Sequence, residues 1–527
     1  MAAERDEEFR SRPTGKKCAT LGSHPFGMDA GCWQKSLCPW LTKTSDDPFG
    51  RIDRTFAFGS CTMPVQSRSR LHGSRWLLTT ASRCLFLVSA SILSIGQAAA
   101  QFGNGGFVNR VVGGVMVDAN GVVRDAEITD RQEALQAMRQ LVRGPQADFR
   151  QPTDQRWISL KELQRQIAEL KQADRPIPEE MLFLGGLTRV EYVFAYPELN
   201  DIVIGGPAEP WTISERGSVV GQKSGRPVLY LDDLLVALRT TEASKKEGIS
   251  VSIDPTSEGI QRLQNLLKNV SLAPGQNPKR MEPAMRDAFG PQTVELKGVP
   301  ADSHMARVLL AADYQMKRYG MDLAQAPVKN LPSYLEMIRN RPNAYQQSRW
   351  WMACDYDAIE RSDDGLSWHL RGRGIKTLTE EEFVDAQGNR KQTGKQGSVA
   401  QKWAELFTEK LDELSVQDPI FGELRNVIDL CVVAALIDAK GLEQLAGCEL
   451  GDLKDRNRTV ESASLGVPKQ LPPQCSFIQT SGGWVVSTSG GVYIDAWTVV
   501  ANDTVASELS KQRPKLPATP AWCWNGT

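Results

Sequence analysis

Few side chains in this sequence are suited to chemistry, and they lie far apart. His304 could act as a general base, the role that exported hydrolases give to histidine, with Asp313 and Asp357 as carboxylates to orient it or share its proton. It falls in the first turn of a helix expected over 302–318, where a capping or solvent-facing histidine is the plainer reading. The usual companions are missing from the sequence: there is no Gly-x-Ser-x-Gly elbow, no His-Glu-x-x-His and no cysteine in a nucleophile context. The stretch from Asp355 to Asp364 holds Asp355, Asp357, Glu360, Asp363 and Asp364, hard oxygen donors of the kind calcium takes. Their spacing departs from a calcium loop, and Asp363-Asp364-Gly365 fits an ordinary turn, so no metal is expected. Gly388 to Gly394-Lys395 is too widely spaced for a phosphate loop and has Gln396 where a hydroxyl is required, so no cofactor is expected either. Trp350, Trp351 and Trp368, with Trp403 and Tyr356 close in sequence, could form a platform for carbohydrate or peptide. Burial in the core is the commoner fate of such residues.

The elements that must carry these residues are legible in outline. Short strands are expected over 107–124 (as a hairpin), 181–184, 190–196, 201–205 and 228–230, and helices over 129–143 and 158–172. From Leu231 a helix carries Leu234, Leu235, Ala237 and Leu238 on its buried face. Ile249 to Ile253 alternates apolar and polar, and Asp254-Pro255-Thr256-Ser257 opens a helix with Ile260, Leu263, Leu266 and Leu267. A second strand–helix unit follows: 293–297, then 302–318. Strands flank the acidic loop near 350 and 368. Helices are expected over 398–415 and 419–438, the latter with Asp418 as cap and Pro419 at its first position. One internal echo, Gly113 to Ala119 against Gly490 to Ala496, suggests similar hairpins lying near one another. The expected fold class is α+β in two or three lobes: β-hairpin-rich segments, an α/β layer of ferredoxin-like type, and a helical region near 398–450.

The compartment is indicated by residues 63–100. Arg68, Arg70, Arg75 and Arg83 precede an apolar stretch from Cys84 to Ile95, and Ala98-Ala99-Ala100 come before Gln101. That order is the one found in a secretory signal cleaved between Ala100 and Gln101, and its apolar part is shorter than the ~20 residues a membrane-crossing helix needs. Residues 1–62 stand ahead of it as a disordered or mis-assigned extension, with translation expected to begin at Met63. The remainder divides into 101–245, 246–345 and 346–527. Across the chain 62 Lys and Arg face 63 Asp and Glu. The basic excess lies within 1–100, so the rest is net acidic, which argues against nucleic acid as a partner. Contact with a membrane is expected only through the signal segment. Of the cysteines after residue 100, Cys431 reads as a buried thiol, and a bridge among Cys448, Cys475 and Cys523 is open.

Several stretches together resemble exported proteins of planctomycete bacteria that share a domain of unknown function. They are Arg226 to Leu238, Ser252 to Thr256, Ser303 to Arg318 and Leu331 to Leu335, and the resemblance covers most of 107–450. It implies a bacterial envelope setting and no assigned reaction. The expected role is therefore an exported binding or structural component of the cell envelope, its partner in the envelope or medium unidentified. The alternative is an exported hydrolase with a carboxylate and histidine site.

Overall fold

The fold is that of a computed structural model describing residues 142–526, apart from 270–277, 340–347, 385–389, 457–465, 475, 481–482 and 488–489, together with short segments between 111 and 139. The signal segment, with Ala100 and Gln101, and most of the helix expected over 129–143 lie outside the described residues.

Six elements position the side chains that matter. Helix α1 (Leu231–Glu247) has Asp232 and Asp233 in its first turn and Lys245 and Lys246 in its last, the charge order a helix dipole favours. Strand β1 (Ile249–Pro255) buries Ile249, Val251 and Ile253 and leaves the residues between them half-buried. Helix α2 (His304–Gly320) starts at Ser303, whose hydroxyl accepts from the Ala306 N–H at 3.1 Å. Strand β2 is Ser348–Asp355. Helix α3 (Ile420–Ala439) is buried on every side from Ile420 to Ile437, as an apolar helix surrounded by other elements must be. Strand β3 is Gly490–Ile494.

The architecture is α+β. One seven-stranded sheet runs in the order 390–392, 374–384, β2, β3, β1, 292–297, 470–471. A second runs 503–505, 359–361, 367–369, 192–196, 201–208, 153–159, 523–525. The first sheet draws strands from both sides of residue 345. Its strand–helix units return the chain to antiparallel neighbours, as at 249–255 against 292–297, while β3 inserts parallel to β2. Helix α2 lies on β1 and β3, and α3 packs on α1 and α2. The shared core includes Val251, Ile253, Val308, Leu309, Ala312, Val427, Ile428 and Val492. Each fully buried Val, Leu or Ile among them contributes about 1.5–3 kcal/mol.

The echo between residues 113–119 and 490–496 has a different outcome from paired hairpins. Gly490 to Ile494 is a central strand, parallel to β2 and antiparallel to β1. Its glycines are needed because the neighbouring backbones come close: a Cβ on Gly490 would lie 1.9 Å from the Trp350 carbonyl oxygen. In the first copy Val115–Val117 pairs with both Val111–Val112 and Val123–Asp125, and the residues joining these strands lie outside those described.

Other expectations are corrected. Residues 181–184, read as a strand, form the end of a helix, Glu179–Leu182, and the start of a 3-10 turn, Leu184–Gly186. Four apolar residues carry no period, and Pro178 with Glu179 and Glu180 is a helix start. Val228 to Tyr230 is extended but joins no ladder. Asp418 does not cap α3 through its side chain; it is buried, accepting from the Tyr319 hydroxyl at 2.5 Å and pairing with Arg216 at 3.1 Å. Cys354, Cys431, Cys448 and Cys523 are free thiols, Cys431 buried as expected, and Cys475 lies outside the described residues.

Candidate functional site: an arginine-lined cavity

A polar cavity of about 480 Å³ opens where β2 ends. Asp355, Tyr356 and Asp357 leave that strand and line one side, and Gly372 and Arg373 line the next. Arg425 reaches it from α3, Asp412 from the helix Ser398–Gln417, and Arg189 and Arg226 from the connections before 192–196 and before α1. Gly372 is fitted to this place: its φ is +117°, and a Cβ there would sit 2.6 Å from the Asp355 carbonyl oxygen.

The floor is fixed by Asp429, fully buried on α3. Arg189 holds it with two hydrogen bonds, Nε to one carboxylate oxygen and Nη2 to the other, each 3.1 Å. Arg189 Nη1 donates to the Gly372 carbonyl at 2.9 Å, and the Tyr356 hydroxyl donates to Asp429. Burial alone would lower the guanidinium pKa of Arg189, but the Asp429 carboxylate overrides it and raises it. Tyr356 stays protonated far above its ordinary range, first through burial and then through the Asp429 charge.

Arg425 is less well satisfied. It is 4% exposed, and Nη1 meets the Asp412 carboxylate at 3.2 Å. Its Nε and Nη2 are buried with no hydrogen-bond partner among the described residues. Burial, then the neighbouring charge of Arg189, pushes its pKa down to about 10.

A second ionisable group of residues lies between α1, α2 and α3. His304 Nδ1 is 2.9 and 3.1 Å from the two oxygens of Asp233, and the Asp232 carboxylate accepts from the His304 backbone N–H at 3.4 Å. Tyr230 covers the imidazole, ring centroids 4.6 Å apart, and Arg307 contributes a positive charge near Asp232. Glu423, fully enclosed, has its Oε2 without a hydrogen-bond partner among the described residues. Burial opposes a charged His304, but Asp233 outweighs it and raises the pKa above the ordinary value. Burial raises Asp232, with the Asp233 charge adding to it, and burial raises Glu423, against the pull of His304.

All three shifts have the same sign for stability, because the native state holds protons more tightly than the unfolded chain. The His304 contribution is complete below pH ~6.5, the unfolded histidine value, and is lost as pH rises through the raised native one. The wild-type urea midpoint is therefore expected to fall as pH rises from 6.5 towards 8.5. In His304→Gln that fall should shrink, and equal slopes in both proteins would refute the assignment.

The residues singled out from sequence occupy separate places. Asp313 is buried on α2 against Lys317 at 2.9 Å, with its carboxyl pushed up to about 6 by burial. Asp357 is exposed on the cavity rim. His304 is 5% exposed and lines neither that cavity nor a groove of about 490 Å³ near Phe149 and Trp522. Trp350 is core, against Tyr334 and Trp403, and Trp368 is core as well. Trp351 is half-buried under the Arg349 guanidinium, 5.1 Å from its ring. In the acidic loop Asp364 pairs with Arg513 at 2.7 Å, and Glu360 bonds His369 and Arg371. Among the described residues no group of three or more His, Cys, Asp or Glu is placed to hold a metal ion. Sequence reading passed over Arg189, Arg425 and Asp429. The available signal was Glu423, Arg425, Asn426 and Asp429 within an otherwise apolar helix, since polar groups in a buried helix need partners.

The family model described as "Protein of unknown function (DUF1598)" matches residues 251–334, which hold most of β1 and all of α2 with His304, Asp313 and Lys317. No curated protein and no solved structure matches the chain.

Proposed function

We propose that this protein is an exported binding component of the bacterial cell envelope, holding a small polar ligand in the cavity at the end of β2. One observation carries the reading: an open cavity of about 480 Å³, in the size range of small-molecule sites, is lined by arginine, aspartate and tyrosine. The Arg-flanked apolar segment before Gln101 supports export. A hydrolase built on His304 would need that imidazole to meet a substrate, and its burial beneath Tyr230 argues against it.

Producing the full chain in a bacterial host tests both parts. The exported form should begin at Gln101 by intact mass. Its melting temperature should rise with at least one member of a panel of amino sugars, sugar acids and amino acids, and substitution of Arg226 or Asp357 should abolish the rise. A cytosolic, uncleaved product would overturn export. A panel without any response, or one insensitive to those substitutions, would overturn binding in this cavity.

A further inference from the structure

Resting on that binding reading, we propose that Arg425 is an oxoanion socket, so that the ligand is a small molecule with a carboxylate or phosphate group which it presents to the Nε–H and Nη2–H of this residue. The two unpartnered nitrogens make up one edge of the guanidinium, the edge whose parallel N–H groups match two oxygens of a carboxylate or phosphate. A buried guanidinium with two unmade hydrogen bonds is costly, and an oxoanion removes that cost more fully than a neutral hydroxyl.

The charges around the cavity agree. Arg189 is neutralised by Asp429, and Asp355 is paired with Lys376 at 3.4 Å. What remains on the lining is Arg226, Arg373 and Arg425 against Asp357 and Asp412, one cation in excess. A carboxylate balances it, and a phosphate monoester, at about −1.5 to −2 at neutral pH, more than balances it.

Asp412 is the carboxylate nearest the socket that opposes an anion there. The two free nitrogens lie beneath the surface, and the Asp412 side chain, 62% exposed, meets the third nitrogen, Nη1, at 3.2 Å. It also lies 4.0 Å from Arg226, whose side chain is 40% exposed. The Arg425 side chain is only 5% exposed, so this is not a surface pair, and an oxoanion on the Nε–Nη2 edge leaves the Asp412–Nη1 bond in place. Asp412 thus opposes the ligand through its charge without filling the socket, and removing that charge favours the ligand.

The experiment is calorimetry on the exported form at constant ionic strength with three sugars that differ at one carbon: D-glucuronate, glucose 6-phosphate and glucose. One or both acids should bind at least tenfold tighter than glucose, the difference expected of a bidentate charge-assisted contact. The better of the two identifies carboxylate or phosphate as the group recognised. Asp412→Asn should tighten the acid severalfold and leave glucose unchanged; Arg425→Lys, which keeps the charge but loses the edge, should remove most of the preference. Asp412 is exposed, so its variant reports even if the Arg425 variant folds poorly.

Equal binding of all three sugars, sensitive to Arg226, would leave a binding cavity and overturn the socket. Failure of both acids to bind, with Asp412→Asn also without effect, would likewise overturn it, and Arg425 would then be a structural cation satisfied by water.

Discussion

Lys317→Met is expected to destabilise the protein by about 3–5 kcal/mol, and adding Asp313→Leu to recover most of that loss. The ammonium of Lys317 is fully buried, and its three donors are all engaged. Nζ bonds the Asp313 carboxylate at 2.9 Å, the Ile253 carbonyl at 2.6 Å and the Gly490 carbonyl at 3.4 Å. One side chain thereby ties α2 to β1 and β3 where those strands adjoin. Removing it leaves a carboxylate in a place that water does not reach, together with two carbonyls that lose a donor.

The acid dependence follows from the same burial. With a native value of about 6 against an ordinary one near 4, Asp313 favours the protonated form in the fold. Its contribution to stability is therefore greatest below pH ~4 and is lost as pH rises through 6. Without Lys317 the carboxyl should hold its proton to still higher pH, so the deficit of the single variant should be smaller at pH 5 than at pH 7.5. Urea unfolding followed by tryptophan fluorescence measures all of this. A single variant within ~1 kcal/mol of wild type, at a neutral pH where a buried pair should be charged, would mean that water or a rearranged neighbour satisfies Asp313.

Such pairs explain what the sequence revealed and what it hid. Elements with a clean period were readable: the alternation of Ile249, Val251 and Ile253, the apolar face of Leu234, Leu235 and Leu238, and the long apolar run of α3 all appear at the expected places. Periodicity reports which face is buried, and burial is local information. It does not report partners. Asp418 stood immediately before Pro419, where a cap belongs, yet its carboxylate turns inward to Tyr319 and Arg216, residues from distant parts of the chain.

The cavity was hidden for the same reason. Its lining comes from residues 189, 226, 355–357, 372–373, 412 and 425, and nothing in their spacing announces that they meet. Asp357 was noticed for its acidic loop, and its place on the rim depends on contacts the loop does not make itself. His304 was noticed for its chemistry, but its setting depends on Asp233, Tyr230 and Glu423. Two of those belong to the Arg226 to Leu238 stretch noted for other reasons, and the third sits in an apolar helix.

Asp429→Ala is expected to be the other severe change, at about 3–5 kcal/mol, because it breaks a buried pair by removing one partner. Arg189 would lose both carboxylate bonds and keep only the Gly372 carbonyl. Tyr356, half-buried on the cavity wall, would lose its acceptor. Asp429→Asn keeps the volume and one carbonyl acceptor, so it should cost less than alanine but more than Tyr356→Phe, which removes a single hydroxyl. The three groups act as one unit, so a cycle of Asp429→Ala with Arg189→Met should be non-additive, the double variant recovering about 0.5–3 kcal/mol relative to the sum. Additive losses would show that Arg189 and Asp429 are held independently. In that event the floor of the cavity would owe its shape to the Gly372 turn and the end of β2, and glucuronate or glucose 6-phosphate binding should survive Asp429→Asn unchanged.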